Sequence, residues 1–151
     1  MDTSNIDFRT QKGYDQLNSN PITPSMEDYL EMIYRHHISG EFIRISTLAK
    51  KLNVKNSSVS KMIINLRTQG LIEYEKYGNI VITEKGLQLG KYLLHRHEVL
   101  NKFFSLINGT SNETEQIEQI EHFINKPTIE NIELLIPILE SIENNKYSIK
   151  R

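Results

Sequence analysis

Between Ser46 and Thr83 the apolar residues change from a helical period to alternation, and that change restricts the fold more than any other feature of the chain. Leu48, Ala49 and Leu52 share one face of a short helix that Ser46 is expected to cap. "NVKNSS" then reads as a tight turn, with Asn56 or Ser57 capping a second helix. Val59, Met62, Ile63 and Leu66 recur at i, i+3, i+4, i+7 along it, and Gly70 ends it. The period then drops to two in "LIEYEK" and "IVIT", which flank Tyr77-Gly78-Asn79 as the arms of a hairpin. Helix, turn, helix and hairpin in that order form a winged helix-turn-helix.

The flanking segments are helical. Thr23 and Pro24 suit the N-cap and first position of a helix that carries Met26, Tyr29, Leu30, Ile33 and Tyr34 and ends near Gly40. "EFIRI" alternates as a minor strand. Thr83 is placed to cap a long helix with the apolar stripe Leu93, Leu100, Phe104 and Ile107. Two further helices are expected at about 112–125 and 128–143, the last kinked or broken at Pro137. The predicted class is therefore mainly α with a small β-hairpin wing, a winged helix-turn-helix followed by an all-helical domain. Its expected divisions are a flexible arm at 1–22, a DNA-binding domain at 23–90, a helical domain at 91–144 and a tail at 145–151.

Composition narrows the function. The 151 residues are 38% hydrophobic and 25% charged, as in globular proteins. No apolar run approaches the roughly 20 residues needed to span a bilayer, and the start lacks a signal-peptide pattern, so the expected location is cytoplasmic. There is no cysteine, which excludes disulfides and thiolate metal sites. The net charge of −1 conceals a division: Arg44, Lys50, Lys51, Lys55, Lys61 and Arg67 lie in a stretch without acidic residues from Phe42 to Ile72, whereas 112–143 is rich in glutamate. A basic stretch coinciding with a helix-turn-helix is the electrostatic footprint of a DNA binder. On the outer face of the second helix, Ser57, Lys61, Ile64, Asn65 and Thr68 are candidates to meet the bases. Ser58, with Ser57, is suited to a phosphate at the helix start. Lys50, Lys51, Lys55, Lys76 and Tyr77 are candidate backbone contacts.

A second set of residues has ligand spacing. Asp28 and Glu31 share a helix face, as do Glu118, Glu121 and His122, and His97 lies in register with the stripe of the long helix. Oxygen and imidazole donors without sulfur suit manganese, iron(II), cobalt or zinc. Spacing alone leaves other readings open: Asp28 as the acid of a capping box begun by Ser25, Glu118 and Glu121 as a solvated face, and His97 as a satisfied core histidine. His36, His37 and His95 are read as surface or packing residues. Two rival functions also remain, a winged-helix regulator indifferent to metal and a two-metal hydrolase, although no nucleophile or phosphate-binding loop stands out.

"TPSMEDYLEMIY", "SSVSKMI", "GLIEYEKYGNIVITEKG", "HRHEVL" and "IEQIEHF" together resemble the short, manganese-responsive branch of the diphtheria-toxin-repressor family of metal-dependent repressors, over about 23–142. The resemblance implies a homodimeric repressor of manganese uptake genes on pseudo-palindromic double-stranded operator DNA, its C-terminal helices forming the dimer interface. It has neither a membrane nor a small organic substrate as partner and is not an enzyme. The resemblance carries Asp28, Glu31, His97, Glu118, Glu121 and His122 over as ligands of two Mn²⁺ ions per subunit, with Fe²⁺, Co²⁺, Zn²⁺ or Cd²⁺ as substitutes. Iron-responsive relatives have methionine and cysteine at the positions of Asp28 and Glu118, so carboxylates there resemble the manganese type. The chain departs from the pattern in its longer arm, in "VKNSSV" without the usual proline, and in Pro137.

Overall fold

The computed structural model describes residues 20–74 and 78–148, together with Thr10, Lys12 and Tyr14. Most of the expected arm, the wing tip with Lys76 and Tyr77, and the last residues of the tail lie outside the described residues. Helix α1 spans Pro24–Ile38, α2 Ile45–Leu52 and α3 Asn56–Thr68. Strands β1 (Ile72–Tyr74) and β2 (Ile80–Ile82) pair antiparallel with Ile72 opposite Ile82. Helix α4 runs from Glu84 to Asn108, α5 from Thr114 to Ile120, a 3₁₀ turn from Glu121 to Phe123, and α6 from Lys126 to Ser148.

The caps show which local signals held. Thr23 accepts from the Met26 amide at the start of α1, which removes Ser25 and Asp28 from capping there. Thr83 accepts from Gly86 N–H while donating to the Gly70 carbonyl, tying the end of the hairpin to the end of α3. The expected caps Ser46, Asn56 and Ser57 do not act. Arg44 and Lys55 hold the N-cap positions of α2 and α3 without a side-chain cap bond, and all three polar residues lie inside the helices. Ile43, in the expected minor strand, makes a single bridge to Ile80, so "EFIRI" contributes one rung rather than a strand.

The C-terminal helices also differ from expectation. The penultimate helix tightens into a 3₁₀ turn at Glu121 and ends before Asn125, whose side chain accepts from the Thr128 amide at the start of α6. Helix α6 continues unbroken across Pro137 and past the expected end at 143. A proline deletes one amide donor, but Ile129 and buried Ile136 pack α6 on the turns around it.

Two hydrophobic clusters share α4. The first joins Leu30, Ile33, Leu48, Val59, Ile63, Leu66, Leu71 and Ile72 to Leu93. The second joins Val99 and Leu100 to Ile117, Ile129 and Ile136. Phe104 is partly buried against the second, but Ile107 is half exposed, because the stripe runs on past the end of the cluster. Helix α1 crosses α4 at close range: a Cβ on Gly90 would stand 2.7 Å from Cβ of Tyr34. The seam between the clusters therefore falls on α4 between Leu93 and Val99, the turn that carries Arg96 and His97.

Candidate metal centre

Three elements bring their polar side chains to this seam. Helix α1 supplies Asp28 and Glu31, α4 supplies His97, and the 3₁₀ turn supplies Glu121 and His122. They form two triads, Asp28–Glu121–His122 and Glu31–His97–Glu121, and in each the candidate ligand atoms lie within 4.8 Å of one another. Glu121 belongs to both and is 2% exposed. A carboxylate has two oxygens, so this buried residue can serve two neighbouring cations. Glu118 lines the same cleft of about 560 Å³ from the last turn of α5 but stands outside both triads. Five of the six expected residues thus converge closely, and the sixth faces them across the cleft.

Protonation shows how much positive charge the cluster calls for. His122 Nε2 is 3.0 Å from Asp28 Oδ1 and its Nδ1 is 2.7 Å from Glu27 Oε2. Hydrogen bonds to Asp28 and then Glu27 raise its pKa from 6.5 to about 9 against the opposing effect of burial. His97 Nδ1 is 3.0 Å from Glu121 Oε2, and that hydrogen bond raises His97 above the usual imidazole range. In this state protons occupy positions where the donor set would hold a cation. Hard carboxylate oxygens with two imidazoles fit manganese, iron(II), cobalt or zinc, and the absence of sulfur makes copper(I) a poor match.

Glu27 and Arg96 were not singled out from the sequence. Arg96, 3% exposed, donates to Glu27 Oε2 at 2.8 Å. Burial pushes the Glu27 carboxyl up, but the hydrogen bonds from His122 and Arg96 prevail and hold it below 4.5. The guanidinium also lies 3.3 Å from His122 Nδ1. That nitrogen cannot accept from Arg96 while donating to Glu27, and the shorter carboxylate contact takes precedence. Glu27 therefore fixes the ring so that Nε2 faces the first triad, the outer-shell orientation usual for a histidine ligand. Along the helix Glu27 looks like an ordinary first-turn acid; its i, i+4 relation to Glu31 was the available signal. Of the remaining histidines, His36 is buried, His37 is exposed, and His95 pairs with Glu133 at 3.1 Å.

Helix α3 presents Ser57, Ser58, Lys61, Asn65 and Thr68 to the exterior, with Ile64 63% exposed. The Thr68 hydroxyl donates back to the Ile64 carbonyl. Lys50 and Lys55 are exposed, whereas Lys51 lines the acidic cleft. Outward-facing Leu134, Leu135, Ile138 and Ile142 give α6 a second apolar face.

A winged helix-turn-helix joined through one long helix to a carboxylate–histidine cluster defines a metal-dependent DNA-binding regulator. Residues 21–80 match the DNA-binding domain of the iron dependent repressors, and 83–141 match their metal binding and dimerisation domain. The chain is 39% identical to the HTH-type transcriptional regulator MntR of Bacillus velezensis, covering 85% of this chain and 91% of that protein. It is 38% identical to MntR of Bacillus subtilis, over the same shares. The solved structure of the manganese regulator SloR superposes with a TM-score of 0.67 at 26% identity, covering 76% of this chain and 54% of that one. The chain thus spans about half the length of that protein. The chain belongs to the iron-dependent repressor family, the family of the diphtheria toxin repressor that its motifs resemble. It is a homodimeric DNA-binding repressor with a divalent-metal cofactor, not an enzyme. No described helix is long and apolar enough to cross a membrane.

Proposed function

We propose that the chain is a manganese-responsive repressor that shuts off manganese uptake genes in the cytoplasm by binding a pseudo-palindromic operator as a dimer. The observation that carries this reading is the sharing of buried Glu121 by two triads, each with a ligand from α1 of the DNA-binding half. Asp28, Glu31, His97, Glu118, Glu121 and His122 are the proposed ligands of two Mn²⁺ ions, with Fe²⁺, Co²⁺, Zn²⁺ or Cd²⁺ as substitutes. The similarity to a structure described as a manganese regulator supports the choice of metal.

Divalent ions bound there supply the positive charge that lets the carboxylates approach without repulsion. Asp28 and Glu31 ride on α1, which packs on α4 and contributes to the first core. Glu121 and His122 ride on the turn that leads into α6. Drawing these side chains together fixes the DNA-binding domain (23–90) against the helical domain (91–144). The outer face of α6, carrying Leu134 and Ile138, meets its counterpart in the second copy. Two recognition helices then hold one spacing, near the ~34 Å of a helical turn of DNA. Ser57, Ser58, Lys61 and Asn65 approach bases or the phosphate at the helix start, while Lys50, Lys55, Lys76 and Tyr77 contact the backbone. This is positive coupling between the metal and DNA sites.

The test is fluorescence anisotropy with a duplex selected from a random library in Mn²⁺, titrated in Mn²⁺, Fe²⁺, Zn²⁺ and EDTA. Tight binding in Mn²⁺ and weak binding in EDTA are expected. Equal affinity in EDTA refutes the corepressor role.

A further inference from the structure

The two triads differ in one respect that the ligand set does not reveal. Arg35, one turn after Glu31 on α1, donates to Glu31 Oε1 from Nε at 2.9 Å and from Nη2 at 2.6 Å. Both donors take the same oxygen of a carboxylate whose side chain is only 11% exposed. Arg35 also lines the cleft that holds Asp28, His97, Glu118 and Glu121, so its charge borders the cluster although its side chain is 41% exposed. No ion-pair partner of Arg35 other than Glu31 is found among the described residues. Among the described residues the Asp28–Glu121–His122 triad has no arginine on its carboxylates: Arg96 stands 3.3 Å from His122 Nδ1, but its hydrogen bond goes to Glu27.

We propose that Arg35 is a built-in counterion of the Glu31–His97–Glu121 triad, competing with the cation for Glu31 and making that triad the weaker of two unequal sites. This rests on the metal-site reading above and adds a residue to it. A guanidinium cannot shed its charge to make room for an ion. An incoming dication must therefore take Oε2 beside the guanidinium, share Oε1 with its two donors or displace them, and each course costs it binding free energy. Glu31 without metal is meanwhile spared the cost of standing uncompensated beside Glu121. The sensor thus keeps α1 in place with one triad empty, and the second ion binds only at higher metal concentration.

Mn²⁺ binding to the full chain is measured by calorimetry and by the electron paramagnetic resonance signal of free Mn²⁺, for the wild type and for Arg35→Gln and Arg35→Met. Two sites of unequal affinity are expected in the wild type. Both variants should tighten the weaker site about tenfold, equivalent to ~1.4 kcal/mol, and leave the tighter one within about threefold. In an Asp28→Ala background, which disables the other triad, the same tightening should appear on a single site. An unchanged weaker site, or an equal shift of both sites, overturns the role of Arg35. A wild-type chain that takes up no Mn²⁺ overturns the metal-site reading itself.

Discussion

Replacing Glu27 by glutamine tests whether a residue that is not itself a ligand supports the metal centre. The substitution preserves size and one acceptor but removes the charge on which buried Arg96 and His122 converge. Breaking a buried ion pair by removing one partner costs about 3–5 kcal/mol. Glu27 retains 14% side-chain exposure and glutamine can still accept from Arg96, so a loss of ~2–3 kcal/mol is expected. Urea unfolding of the metal-free protein, followed by circular dichroism at pH 7, measures it. The pH dependence has a defined sign. Glu27 is held below 4.5 in the folded state, so its contribution is present above that value and disappears as pH falls through the folded pKa. Wild type and variant should therefore converge in acid. The imidazole of His122 should also titrate below its wild-type value of about 9 by NMR, because Glu27 is gone while the stronger partner Asp28 remains. A stability difference below about 0.5 kcal/mol, together with an unchanged His122 titration, would refute the reasoning.

Three other perturbations address separate parts of the molecule. With a pKa of about 9, His122 carries a proton at pH 7 that a metal must displace, so Mn²⁺ affinity should rise by up to about tenfold per pH unit between 7 and 9. Calorimetry in two buffers of different ionisation enthalpy should show proton release, and identical heats would contradict it. Gly90→Ala places a methyl 2.7 Å from the root of the Tyr34 side chain and should push α1 off α4. A loss of ~1–3 kcal/mol and weaker Mn²⁺ binding should follow; an unaltered melt and titration would show that this approach is not needed. Leu134→Glu, at a residue 72% exposed in one protomer, should leave that protomer folded but yield a monomer by light scattering, with reduced operator affinity. A dimer of undiminished stability would place the interface elsewhere.

Local chemistry made much of the architecture legible. The 3.6-residue period of Val59, Ile63 and Leu66, the caps at Thr23 and Thr83, and the switch to alternation after Gly70 require only neighbours along the chain. Errors arose where two local signals competed. Ser46 and Asn56 are good caps, yet the chain enters both helices earlier, at Ile45 and after Lys55, because apolar residues of α2 and α3 must reach the core. Pro137 breaks an isolated helix more readily than one packed along α4.

Within each helix, spacing put Asp28 with Glu31 and Glu118 with Glu121 and His122, but no periodicity could show that those faces meet. The sequence by itself determined a winged helix-turn-helix, a basic outer helix and a sulfur-free set of ligand types, since period, charge and side-chain chemistry are properties of the chain. Tertiary structure decided the rest: that Glu121 stands between two triads, that Glu118 faces them across a cleft, and that Glu27, Arg96 and Arg35 supply the charges around them. Those roles depend on Å-scale distances between residues up to 95 positions apart. Such distances come from packing α1 and the 3₁₀ turn against one long helix.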